Sequence, residues 1–169
     1  MQIKLANLDQ FGTFKCNTGV LRVADGCYNP NVWCIGWLTH VKTGGYYAFK
    51  IMDKEEGRVS HIIIIHKSKY EALMEKKAKV LKLDCVLNET IGVDAGMAGF
   101  MDANHLTHGD KIYDKICEAL GSDRDCYCDK SSAITLSGYG DGSYSCEYMT
   151  ECEDKKFNPL VVAAAIRFI

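Results

Sequence analysis

The chain is 169 residues long, 47% apolar and 25% charged, with 22 acidic against 20 strongly basic side chains, the profile of one ordinary globular domain over residues 1–169. Two prolines and 15 glycines exclude collagenous and proline-rich disordered classes, and the charge balance argues against nucleic acid or any other polyanion as a partner. The longest apolar runs, 62–65 and 160–166, fall short of the roughly 20 residues that span a bilayer, and the opening MQIKLANLDQ has no secretion-signal core, so a cytoplasmic protein without membrane contact is expected.

In chain order, residues 11–17 and 20–23 read as strands around Thr18-Gly19, a polar–glycine pair suited to a hairpin turn. Residues 46–52 and 58–66, rich in aromatic and β-branched side chains, read as a second hairpin closed by the polar loop 53–57. Ile62 to Ile65 are apolar on both faces, which places the second of these strands inside a sheet rather than at its edge. Ser68-Lys69-Tyr70-Glu71 has the S-x-x-E form that satisfies free amides at a helix start. Tyr70, Leu73, Met74, Ala78 and Leu81 continue at helical spacing from it. A second helix is expected after Asp110 as N-cap, with Ile112, Tyr113, Ile116, Cys117 and Leu120 as its apolar stripe and Gly121 as a left-handed cap. The chain then returns to strands, at 92–94, 99–101, 133–137, 144–150 and 160–169. The predicted fold class is α+β, a mainly antiparallel β sandwich or partly closed barrel with two short covering helices.

The nine cysteines are odd in number and lack the paired C-x₂₋₄-C spacing of structural zinc sites. They read as free, mostly buried thiols, with a zinc site from Cys126, Cys128 and a histidine as the alternative. Residues 67–82 carry six lysines against two glutamates and read as a solvated helix face. Most rings of Trp33, Trp37, Tyr46 and Tyr47 are expected in the core.

Chemistry is sought where glycines and acids coincide. Ser137-Gly138-Tyr139-Gly140-Asp141-Gly142-Ser143-Tyr144 and Gly92-Val93-Asp94-Ala95-Gly96, followed by Phe100-Met101-Asp102, place acids at strand ends beside glycines that tolerate unusual backbone geometry. Asp25 before Gly26 is a third such bend. An aspartate in a turn commonly bonds its own neighbouring amides, but three glycines exceed what a hairpin needs. The expectation is a rim of Asp25, Asp94, Asp102 and Asp141 with Tyr139 and Tyr144. His105 and His108 lie in the loop after Asp102, and His105 is the histidine placed nearest this rim; His61 and His66, five apart in a strand, should face opposite ways. No Walker lysine motif, H-E-x-x-H, calcium-loop or nucleophile-elbow pattern is present.

These glycine–aspartate blocks, with the closing strand ending Arg167-Phe168-Ile169, resemble a family of bacterial and phage proteins defined only as a domain of unknown function. The likeness covers nearly the second half of the chain, and residues 18–25 and 57–59 resemble the family's earlier strands more faintly. It implies a compact β-rich fold and carries over no catalytic residue. The acidic, cysteine-bearing stretch 121–130 and the lysine-rich helix depart from it. The functional expectation is a non-catalytic binding protein, without cofactor or metal, holding a small polar, nucleotide-like ligand or a protein partner at the rim. The alternatives are a metal-assisted hydrolase using Asp94, Asp102 and Asp141 with His105, and an oligomer assembled through an exposed strand or the aromatic segment.

Overall fold

The structure, a computed structural model, describes residues 1–28, 33–107, 109–121, 124–152 and 158–169. His108, Glu153 and Asp154 lie outside the described residues, as do the side chains of Asp110, Ile112 and Tyr113. The strands are β1 (Gln2–Lys4), β2 (Asp9–Cys16), β3 (Leu21–Ala24), β4 (Gly36–Leu38), β5 (Gly44–Met52), β6 (Val59–His66), β7 (Val80–Lys82), β8 (Cys85–Val86), β9 (Ile91–Val93), β10 (Met97–Asp102), β11 (Cys126–Cys128), β12 (Ser132–Leu136), β13 (Gly142–Glu151) and β14 (Leu160–Arg167). The helices are α1 (Lys67–Glu75) and α2 (Gly109–Gly121).

Two antiparallel sheets face each other. The larger runs β2-β5-β6-β14-β13-β8, with β9 continuing alongside β13, and the smaller runs β11-β12-β10-β3-β4. Between them lies a core to which both contribute, including Phe14, Leu21, Tyr46, Ile62, Ile64, Phe100, Ala164 and Phe168. The flanks of the sandwich are drawn together by single hydrogen bonds, from the Lys15 amide to the Lys130 carbonyl at 2.9 Å and from the Gly92 amide to the Cys34 carbonyl at 3.0 Å. The sheets do not close into a barrel, so the sandwich alternative is the one observed.

Alternation along the central strands explains the layers. Ile62 and Ile64 enter the inter-sheet core, whereas Ile63 and Ile65 face the other way and build a second cluster with Phe49, Ala163 and Ala165. That outer face is roofed by the β1–β7 pair through Ile3, Leu81 and Leu83, and by α1, whose Tyr70 ring packs 5.2 Å from both Tyr47 and Phe49. Beneath α2, Ile116 and Leu120 meet Met97, Met101 and Ile134 on the outer face of the smaller sheet. The two helices therefore cover opposite faces of the sandwich, each burying apolar residues of the sheet beneath it.

Four local expectations are corrected. Residues 9–24 do not form a hairpin: β2 pairs with β5 in the larger sheet and β3 with β10 and β4 in the smaller, so the bend at Gly19 (φ +72°) carries the chain from one layer to the other. Helix α1 does not continue to Leu81. Lys77 takes φ +50°, and the amides of Lys77 and Ala78 donate to the carbonyls of Met74 and Leu73, the bonding pattern of a left-handed helix stop. His66, rather than Ser68, caps that helix, its ring accepting from the Ser68 amide. Gly121 is the last helical residue and has no positive φ. His61 and His66 do face opposite sides: His66 meets Tyr46 in the inner layer, and His61 shares the outer face with Ile63.

Candidate functional site

The predicted acids divide into buried clamps and exposed turn residues. Asp25 is fully buried at the end of β3. Its Oδ1 accepts from the Cys27 amide at 2.8 Å, and its Oδ2 accepts from the amides of Asp94 and Ala95 at 2.9 and 2.7 Å. A carboxylate taking three amide bonds is fully occupied by the protein itself. Nearby, Arg22 is 4% exposed and donates to the Tyr28 carbonyl and to Met101 Sδ. Burial pulls its guanidinium down to about 10, and the Asp25 charge opposes that shift. Asp25 thus ties the turn after β9 to the end of β3 and compensates a buried cation.

Asp102 performs a similar service at the other end of β10. It is buried and accepts from the Asn17 amide at 2.9 Å, the Thr18 amide at 3.3 Å and the Thr18 hydroxyl, fixing the β2–β3 bend. His105, in the single turn of 3-10 helix after β10, is buried with Nδ1 2.8 Å from Ser131 Oγ and 3.9 Å from Asp129 Oδ2. Six residues of strand separate Asp102 from the turn that carries Asp94, roughly 15–20 Å at a strand's rise. The expectation of one rim holding all four aspartates and His105 is therefore corrected: Asp102 and His105 belong to the opposite end of the sandwich.

At the first end, three predicted features do come together. Gly142 pairs with Val93 in the β13–β9 ladder, so continuing that register sets Asp141 beside Asp94, and both are exposed. The Ser137 amide donates to the Gly96 carbonyl at 2.8 Å, locking the two turns together. Within the second turn, Gly138 and Gly140 adopt φ +67° and +82°, and both the Ser137 and Tyr144 hydroxyls donate to the Gly140 carbonyl, at 2.7 and 2.8 Å. Tyr139 reaches over the β5–β6 loop, where its hydroxyl donates to Asp53 Oδ2 at 2.5 Å and its ring lies 5.9 Å from the Arg58 guanidinium carbon. The Asp53 bond pushes the Tyr139 phenol up to about 12 and holds the Asp53 carboxyl below its usual value.

Tyr144 links this turn cluster to an open groove of about 480 Å³. Residues 88–90 leave β13 between the Leu87 amide, which still donates to the Cys146 carbonyl at 2.8 Å, and the Ile91–Tyr144 pair, and the groove is lined by Leu87, Glu89, Thr90, Ser143, Ser145 and Arg167 around Tyr144 and Phe168. The Tyr144 and Phe168 rings meet edge to face with centroids 5.2 Å apart. Arg167 ends β14 in cross-strand register with Ser145 on one side and His61 on the other. Burial and the Arg167 charge lower His61 to about 4, against a smaller opposing effect of Glu147, so at neutral pH the imidazole beside Arg167 is uncharged.

The remaining chemistry is structural. All nine cysteines are free; Cys16, Cys34 and Cys146 are buried, five are half-buried and Cys152 is exposed, so burial is less general than the sequence suggests. Burial and neighbouring acids raise Cys126 to about 11 and Cys128 to about 12, the reverse of a metal-binding or nucleophilic thiolate. Among the described residues no three histidine, cysteine or acidic side chains come together as a metal site. No described helix is long and apolar enough to cross a membrane. Tyr46 is fully buried, Tyr47 and Trp37 pack against core clusters, and Trp33 is 94% exposed, so most of the aromatic segment is core, as expected, with Trp33 outside it.

No protein family profile, curated protein or solved structure matches this chain. Sequence reasoning missed Glu89, Arg167, Asp53 and Arg58. The charged groove residues sit singly in unremarkable contexts, and no local pattern marks them before the strands are laid side by side.

Proposed function

We propose that this chain is a non-catalytic binding protein whose site is the groove beside Tyr144, taking a small polar ligand with an apolar part. The observation that carries this reading is that the groove presents two opposite charges, Arg167 and Glu89, which pair neither with each other nor with another described side chain. Exposed opposite charges in one concavity, with the hydroxyls of Thr90, Ser143 and Ser145 and the exposed apolar side chains of Val86 and Ile169, are the few convergent polar groups on apolar surface that characterise ligand sites. The volume lies in the range that small-molecule sites occupy. Binding without turnover is supported by the employment of the buried acids: Asp25 and Asp102 accept amide bonds and are not directed at a substrate. The likeness of the glycine–aspartate blocks to a bacterial and phage family fits an accessory binding role in such a setting.

Native mass spectrometry of the chain purified from its own host tests the reading. The expected result is a retained small molecule that is lost from a Ser145→Trp variant, whose indole fills the groove from an exposed strand position. A folded wild-type protein carrying no small molecule, or equal retention by the variant, overturns it.

A further inference from the structure

We infer that the groove beside Tyr144 recognises a zwitterion of amino-acid type, its carboxylate at Arg167, its ammonium at Glu89 and its apolar side chain against Val86 and Ile169. This rests on the binding reading above and specifies the ligand's charge pattern.

Arg167 is exposed at the end of β14, and its cross-strand neighbours are a serine and a neutral histidine. Among the described side chains no ion pair engages it, and Glu147, the next residue on the same face of β13, is held by the amino group of Met1. A guanidinium presented in this way offers a planar fork that a carboxylate matches with two parallel bonds, and Ser145 adds a hydroxyl donor at its side. Glu89, which lines the same groove, is exposed in the 88–90 segment, and its charge is felt by the Tyr148 phenol.

A purely anionic ligand meets repulsion from Glu89, and a purely cationic one meets it from Arg167. Only a molecule carrying both signs satisfies both walls. The hydrocarbon of Val86, 60% exposed, and of Ile169, 54% exposed, gives the same ligand a place to bury an apolar side chain, which supplies the binding energy that exposed ion pairs lack.

The test is a titration of the isotopically labelled full chain, followed by backbone amide shifts, with three probes: L-phenylalanine, N-acetyl-L-phenylalanine, which lacks the ammonium, and L-phenylalaninamide, which lacks the carboxylate. L-phenylalanine is expected to move the amides of Ser143, Ser145 and Phe168 and to bind about tenfold more tightly than either analogue, a ratio corresponding to one charge-assisted contact. Arg167→Met should erase the preference over the amide while keeping the preference over the acetyl compound. Glu89→Gln should do the converse, so that a general loss of structure cannot mimic the pattern. Equal affinity for the three probes, preference for either single-charge analogue, or shifts confined to residues away from the groove overturns the inference. If none of the probes binds while native mass spectrometry finds a ligand displaced by Ser145→Trp, the zwitterion assignment fails and the binding function stands. If that ligand is also missing, both fail.

Discussion

At the scale of single residues, burial separates two kinds of aspartate that look alike in the chain. Asp25 and Asp102 are almost completely enclosed and accept amides far away in sequence, whereas Asp94 and Asp141 are exposed. Removing the Asp25 carboxylate strands three amide donors and leaves Arg22 without its compensating charge, so Asp25→Ala should cost about 3–5 kcal/mol. Denaturant unfolding measures that directly. Asp141→Ala, by contrast, should stay within about 0.5 kcal/mol of wild type, as exposed substitutions usually do. A second residue-scale consequence concerns pH. The folded protein holds His61 at about 4 and the unfolded chain protonates it near 6.5. Between those values the unfolded state binds more protons, so stability falls as pH drops from about 6.5 to about 4. Comparing unfolding free energies at pH 7.5 and 4.5 should show a smaller loss in His61→Gln than in wild type; an unchanged loss assigns the slope to other groups.

Among the elements, the turn between β12 and β13 is the most demanding. Both Gly138 and Gly140 have positive φ, but their surroundings differ: a Cβ on Gly138 would lie 2.1 Å from the Val59 carbonyl oxygen, and one on Gly140 meets nothing within 4 Å. Gly140→Ala should therefore cost only the left-handed backbone penalty, about 1–2 kcal/mol. Gly138→Ala adds a backbone collision that must push the β5–β6 hairpin away from the turn, and should lose at least about 3 kcal/mol. Thermal melts of the two variants side by side discriminate the cases: similar midpoints would mean that the contact with Val59 relaxes freely. The stop of α1 belongs here too. Sequence periodicity runs through to Leu81, yet the left-handed Lys77 ends the helix early and frees residues 80–82 to pair with β1.

Over the whole molecule, the order of burial predicts the order of opening. Strands β6 and β14 lie side by side at the centre of the larger sheet with Ile62 to Ile65 and Ala163 to Ala165 fully buried, and core above and below. Their amides should exchange with solvent only through global unfolding. Those of Cys85 and Val86, in the two-residue outermost strand, should exchange by local opening at much lower protection. Hydrogen exchange followed by mass spectrometry reads this contrast, and comparable protection in the two regions would mean that the edge is held by something other than its strand pairing.

What the amino-acid order decided alone was the local alphabet: the two-sided apolar strand around Ile62, the glycine turns at 138 and 140, the amphipathic stripe of α2, and the mainly antiparallel α+β class that follows from many short strands with few helices. These depend on alternation, helical spacing and φ preference, all of which act over a few residues. Which strand joins which sheet was decided only in three dimensions. The same Thr18-Gly19 bend suits a hairpin or a layer crossing, and Asp102, from 84 residues further along, holds the bend in the crossing form. The separation of Asp25 from Asp102, the pairing of the Asp94 and Asp141 turns, and the groove that Arg167 and Glu89 both line likewise arise from partners distant in sequence. Their formation is rewarded only once the core has closed, and for that reason no window of the chain announces them.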